Sequence, residues 1–187
     1  YVTGGTGPTV HGESFGPVDY EVPNDLVYAE TCASVAMAFF ARRMLEIEPK
    51  GEYADILEKE LFNGILSGMQ LDGKRFFYVN PLEVVPGVSG KLPEYKHVLP
   101  ERPGWYACAC CPPNVARLVT SLGTYAWSEN AESVYAHTYL GGKAEFKNGA
   151  VISCVSGYPW NGDVRFTMEA DKSFPFGLHT PGWCRSW

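Results

Sequence analysis

The sequence predicts an α-then-β chain, helical over its first two thirds and strand-rich afterwards. Three observations carry this. Apolar residues recur at spacings of three and four in three stretches between Val27 and Trp127. Pro and Gly break the chain between the second and third of these stretches, ruling out one long helix there. After about Asn130 the apolar residues alternate in short runs punctuated by Gly, Asn and Asp, which is the pattern of antiparallel strands. Helices followed by strands imply two domains in series, 1–130 and 131–187, with the boundary near Ser128 to Ser133.

The elements follow in order. The chain opens on a Gly-rich loop, "YVTGGTGPTVHGESFG", and reads as part of a longer protein, because neither end resembles a natural terminus. "CASVAMAFFARRMLEI" places Cys32, Val35, Ala36, Phe39, Phe40 and Met44 near one helical face. "GEYADILEKELFNGILSGM" does the same with Tyr53, Ile56, Leu57, Glu60, Leu61 and Ile65. "LDGKRFFYVNPLEVVPGVSGKLPEYKHVLPERPG" is expected to form a short hairpin and an extended loop, with Asp72–Gly73 and Asn80 as turn residues. "PPNVARLVTSLGTYAW" is a third helix, begun by prolines that tolerate the missing N–H donors of a first turn. "SVYAHTYLGGKAEF", "GAVISCVSGYPW" and "DVRFTMEADKSF" are the strands.

Composition limits the function. The 21 acidic residues outnumber the 15 basic ones and no basic cluster exists, so nucleic acid is not an expected partner. No apolar run is long enough to cross a bilayer, and no membrane partner is expected. The 11 Tyr and 5 Trp suit flat polar ligands such as sugars, and a large core equally well. Three of the six cysteines, Cys108, Cys110 and Cys111, fall within four residues, where disulfide geometry is poor. Metal binding or thiol chemistry is the better expectation, and unpaired thiols favour a cytoplasmic setting.

Cys110 and Cys111 immediately precede a helix start, where unpaired N–H groups and the helix dipole favour a thiolate. The bland alternative is a pair of buried, reduced cysteines. Glu30 and Cys32 in "PNDLVYAETCAS" are two residues apart, so in a helix they would point about 200° apart and could not share a ligand. Either this stretch is extended, with the helix starting after it and Thr31 as its cap, or a helix begun at Asn24 or Asp25 leaves Glu30 solvated and Cys32 in the core. Glu30, Cys32, Cys110 and Cys111 together offer one oxygen and three sulfurs, a sufficient set for tetrahedral zinc. Glu13 in "HGESFG" is a candidate general acid. The four histidines show no ligand spacing.

"YVTGGTG", "HGESF", "VPNDLVYAETCAS", "DGKRFFYVNPL", "WYACACCPPNVAR" and "TPGWC" occur in that order over nearly the whole chain. In this the sequence resembles glycoside hydrolase family 127, the beta-L-arabinofuranosidase family. The resemblance implies the C-terminal part of a catalytic (α/α)6 barrel followed by the start of a β-sandwich. It implies an exo-glycosidase that releases terminal beta-L-arabinofuranosyl units, with retention, from arabinose-containing oligosaccharides or glycoconjugates. It implies Zn2+ on Glu30, Cys32, Cys110 and Cys111, Cys110 as nucleophile, Glu13 as acid/base with Glu21 its near rival, and Tyr78 lining the sugar pocket. The competing expectations are a non-catalytic carbohydrate-binding or scaffold protein with a structural zinc site, and a glycosidase of the same fold acting on a related sugar.

Overall fold

The computed structural model describes residues 2–8 and 14–186. Among the described residues the α-helices come first: α1 (Thr31–Ile47), α2 (Gly51–Lys59), α3 (Cys111–Val119) and α4 (Gly123–Ala126). Six strands follow: β1 (Trp127–Glu129), β2 (Val134–Ala136), β3 (Gly142–Glu145), β4 (Val151–Ser156), β5 (Val164–Glu169) and β6 (Phe176–Leu178). The chain divides into two compact units. One comprises Tyr1–Phe40 with Ile56–Leu118, and the other Ala41–Asp55 with Val119–Trp187.

In the first unit the core is built by Val35, Leu57, Leu61, Ile65, Val98 and Leu118, each almost fully buried. Burying such a side chain contributes about 1.5–3 kcal/mol. Leu57, Glu60, Leu61 and Ile65 do share a face, as their spacing predicts. The helix does not run on regularly, however. After Lys59 it widens into a π turn, Glu60–Ile65, and then tightens into a 3-10 turn, Leu66–Gly68. A short hairpin follows at Asp72–Gly73, closed by the bridge between Met69 and Phe76, with φ +70° at Gly73 and the Asp72 carboxylate accepting from the Lys74 N–H.

The buried stripe of α1 differs from the predicted one. Val35, Ala38, Ala41 and Leu45 face inward, whereas Ala36 and Phe40 are exposed. The helix is apolar on several sides, so spacing of three and four fits more than one stripe. The small Ala38 and Ala41 occupy the buried one. The third helix also breaks, into α3 and α4, with turn residues at Thr120, Ser121 and Leu122. Its last predicted residue, Trp127, begins β1 instead.

The second unit holds two three-stranded sheets, ordered β1-β2-β6 and β3-β4-β5. Three of the four strand pairings are antiparallel, but β6 lies parallel to β2. That parallel pair departs from the all-antiparallel expectation, and Phe176–Leu178 reaches it only after the chain has passed through the other sheet. In β4, Ile152 and Cys154 are buried while Val155 is exposed, the alternation of a strand with one covered face. Trp127 packs against the rings of Phe146, Phe166 and Phe176, at 5.8–6.3 Å between centroids.

Candidate metal centre

Glu30 stands just ahead of α1, not within it. Its carbonyl accepts the first helical hydrogen bond, from the Ser34 N–H at 3.1 Å, which makes Glu30 the capping position. The backbone there is unusual, because Ala29 has φ +39°, a region a residue with a Cβ rarely enters. A partner segment, residues 76–80, holds it in place. The Thr31 N–H donates to Tyr78 O at 2.9 Å, and the Asn80 N–H donates to Ala29 O at 3.2 Å. Asn80 Nδ2 adds bonds to Ala29 O at 3.1 Å and to Thr31 Oγ1 at 3.0 Å. Asn80, expected as a turn residue, is instead a clamp. Thr31 is not the expected cap either, since its hydroxyl donates to Phe77 O at 3.0 Å.

With that entry geometry the 200° divergence of a continuous helix does not arise. Glu30 leaves extended backbone while Cys32 leaves the first turn of α1, and the two converge. Cys110 precedes α3 as expected, whereas Cys111, expected just ahead of the helix, is its first residue. The ligand atoms of Glu30, Cys32, Cys110 and Cys111 all lie within 4.8 Å of one another. Sγ of Cys32 is 3.7 Å from that of Cys111, Sγ of Cys110 is 3.9 Å from that of Cys111, and Cys110 Sγ is 3.6 Å from Glu30 Oε1.

These separations test the fit of a metal. Four ligands around zinc at about 2.3 Å define a tetrahedron whose edges are about 3.8 Å. The Cys32–Cys111 and Cys110–Cys111 sulfur separations, 3.7 and 3.9 Å, match such an edge, so the donor set suits a tetrahedral, thiophilic ion. Burial, then the neighbouring Cys110, push the Cys32 thiol up to about 12, against the lowering effect of the Asn114 and Cys111 hydrogen bonds. Burial and the Cys32 and Cys110 sulfurs push Cys111 up as well, opposite to the downward shift expected at a helix start. Clustered thiols resist ionisation unless a cation compensates them, and a bound divalent ion reverses the balance.

The remaining predicted site residues are placed as follows. Tyr78 is beside the cluster, its Oη 3.2 Å from Cys110 Sγ, and burial, then the Cys110 contact and the Glu30 charge, raise its pKa. Its backbone N–H donates to Tyr106 Oη at 3.1 Å, and its ring lies 6.2 Å from that of Tyr28. Tyr78, Tyr28, His97, Tyr106 and Cys108 line a cavity of about 460 Å³. Glu13 lies outside the described residues. Glu21 is exposed. Sequence reasoning missed Asn114, whose Nδ2 donates to Cys32 Sγ at 3.1 Å. Its position four residues after Cys110, one helical turn on, was the available signal.

The model of the beta-L-arabinofuranosidase, GH127 catalytic domain family matches residues 1–124. The non-reducing end beta-L-arabinofuranosidase of Bifidobacterium longum subsp. longum is 49% identical over 99% of this chain. The crystal structure of a GH127 beta-L-arabinofuranosidase from Geobacillus stearothermophilus T6 superposes over 100% of the chain with TM-score 0.92 and 48% identity. A GH127 beta-arabinofuranosidase structure superposes over 98% with TM-score 0.85 and 38% identity. The chain spans 29% of the first relative's length, and 30% and 27% of those two structures. By the family match and by identity across its whole length, the chain belongs to the GH127 glycoside hydrolase family.

Proposed function

We propose that these residues belong to a retaining exo-acting beta-L-arabinofuranosidase, with Cys110 as nucleophile and Glu13 as acid/base. The observation that carries it is the setting of Cys110. Cys111 is 1% exposed and the Cys32 sulfur is tied to Asn114, whereas Cys110 touches Tyr78, which lines the adjoining cavity. Of the three sulfurs, Cys110 is the one hydrogen-bonded to a side chain that lines that cavity. Family membership supports the substrate, a terminal beta-L-arabinofuranosyl unit of an oligosaccharide or glycoconjugate.

Zinc, held by Glu30, Cys32, Cys110 and Cys111, would keep the Cys110 sulfur deprotonated at neutral pH. That thiolate attacks the anomeric carbon and the glycosidic C–O bond breaks, with Glu13 giving its proton to the departing oxygen. Glu13, now a carboxylate, takes a proton from water. The water oxygen attacks the same carbon, the C–S bond breaks, and the Cys110 thiolate returns. Two inversions give net retention. Tyr78 gives one wall of the sugar site and a hydrogen-bond partner to the nucleophile. We read 1–130 as the C-terminal part of an (α/α)6 barrel and 131–187 as the start of a β-sandwich. The match over residues 1–124 and the strands from Trp127 onward support that division.

The test uses the full-length protein and an activated nitrophenyl arabinoside. Cys110→Ser should reduce hydrolysis by at least about a thousandfold. Glu13→Gln should give a burst of nitrophenol, a covalent adduct on the Cys110 peptide, and then slow turnover. Product of inverted configuration, or a Glu13→Gln variant as active as the parent on an arabinoside with an alkyl leaving group, overturns the assignment. A site with four protein ligands commonly serves structure alone, and a fully active Cys110→Ser variant would return the cluster to that role.

A further inference from the structure

We propose that Asn114 is a positioning residue that holds the Cys32 thiolate in the metal cluster and damps its nucleophilicity, so that reactivity is concentrated on Cys110. The proposal rests on the metal reading above.

Three thiolates and one carboxylate carry four negative charges, twice what a divalent cation neutralises. The surplus sits in a half-buried site, where uncompensated charge is costly. Hydrogen-bond donors aimed at the sulfurs reduce that cost and fix each ligand's direction. Side chains outside the cluster reach its sulfurs: Asn114 Nδ2 lies 3.1 Å from Cys32 Sγ, and Tyr78 Oη lies 3.2 Å from Cys110 Sγ. The two contacts differ in kind. An amide N–H can only donate, so it suits a sulfur that remains anionic. A phenol can donate or accept, and Tyr78 lines the cavity, so its bond can be exchanged for one to a ligand.

Asn114 is also rigidly carried. It lies in the first turns of α3, and its backbone N–H donates to Cys110 O at 3.3 Å. The residue that restrains Cys32 is thereby fixed to the same turn that presents Cys110 and Cys111. An N–H bond to a thiolate draws charge from the sulfur lone pairs. The sulfur then reacts more slowly with an electrophile, is less easily protonated, and stays a ligand. Cys32 and Cys110 are both half-buried, so exposure alone does not decide which of them reacts.

The experiment compares the full-length parent with Asn114→Leu and with Asn114→Asp, an isostere that lacks the N–H donor. Cadmium-loaded proteins are titrated with a chelator, and their sulfur-to-metal charge-transfer band is recorded. The zinc-loaded proteins are then treated with iodoacetamide, and each cysteine peptide is followed by mass spectrometry. Exposed Cys108 serves as the internal reference. Both variants should lose metal to the chelator at about tenfold lower concentration or less. The charge-transfer band should move to lower energy, and Cys32 alkylation should rise about tenfold relative to Cys108. If either variant that folds keeps the parent's metal affinity, band position and Cys32 alkylation rate, Asn114 has no such role. A parent that takes up no cadmium overturns the metal reading itself, and this proposal with it. A parent that binds one cadmium beside an unaltered variant overturns only the role of Asn114.

Discussion

Glu60 is 2% exposed in the π turn after α2, and burial raises its pKa to about 7 from the ordinary 4.5. Among the described residues its Oε2 and the Ser34 Oγ are buried without a hydrogen bond of good geometry, although the nearby Ser34 hydroxyl offsets part of the rise. Both atoms would lie 2.6 Å from a Cβ placed on Gly64, so a side chain there has no room. The sign of the pH effect follows from the raised pKa. Between pH 4.5 and 7 the unfolded chain has released the proton while the folded chain still holds it, so stability falls as pH rises. Over that window the loss is on the order of 3 kcal/mol, at about 1.4 kcal/mol per pH unit. Glu60→Gln removes the titration. In thermal melts of the full-length protein, the variant should match the parent near pH 4 and exceed it at pH 8. Parallel melting profiles across that range would show that Glu60 ionises without cost. The sequence revealed this residue's burial, since Glu60 falls on the face of Leu57 and Leu61. Its missing hydrogen bond was not readable, because that depends on where the 3.6-residue repeat widens.

At the scale of elements, Glu30 depends on how the residue 76–80 segment grips the entry to α1. Asn80→Ala removes two hydrogen bonds, to Ala29 O and Thr31 Oγ1, at a cost of about 1–3 kcal/mol. Asn80→Asp should be worse than the alanine variant, because it turns a carboxylate oxygen toward the Ala29 carbonyl. Both should weaken cadmium binding, through Glu30, without changing the alkylation of Cys110 relative to Cys108. The prediction fails if Asn80→Asp melts higher than Asn80→Ala. The same segment shows what sequence made legible. From the angle between their side chains, Glu30 and Cys32 are expected to share a ligand only on a non-helical stretch with the helix after it. Helix α1 begins at Thr31, so Glu30 lies outside the helix as expected and Cys32 lies inside its first turn. The prolines marked the start of α3. The αL backbone at Ala29 and the clamp by Asn80 join residues some fifty positions apart, and no local spacing encodes such a pairing. The parallel β2–β6 pair was hidden for the same reason, because alternation reveals a strand but not its neighbour.

Several large apolar side chains stand open in each unit, Phe40 at 60% in the first, and Val155 at 71%, Trp160 at 90% and Trp183 at 64% in the second. Single exposed apolar residues are ordinary, but large aromatic rings left this open on both units call for something to cover them. Tyr158 stacks on Trp183, with 6.5 Å between centroids and 13° between planes, and Trp160 lies two residues further along the same turn. The Tyr158–Trp183 stack and the exposed Trp160 both belong to the strand-rich unit. The 187 residues expressed alone should bind a hydrophobic dye strongly, elute above monomer size or precipitate, and melt without a single cooperative transition. The full-length protein should bind the dye weakly and melt sharply. A soluble, monomeric 187-residue chain with one sharp transition and no dye binding would mean that these faces need no cover.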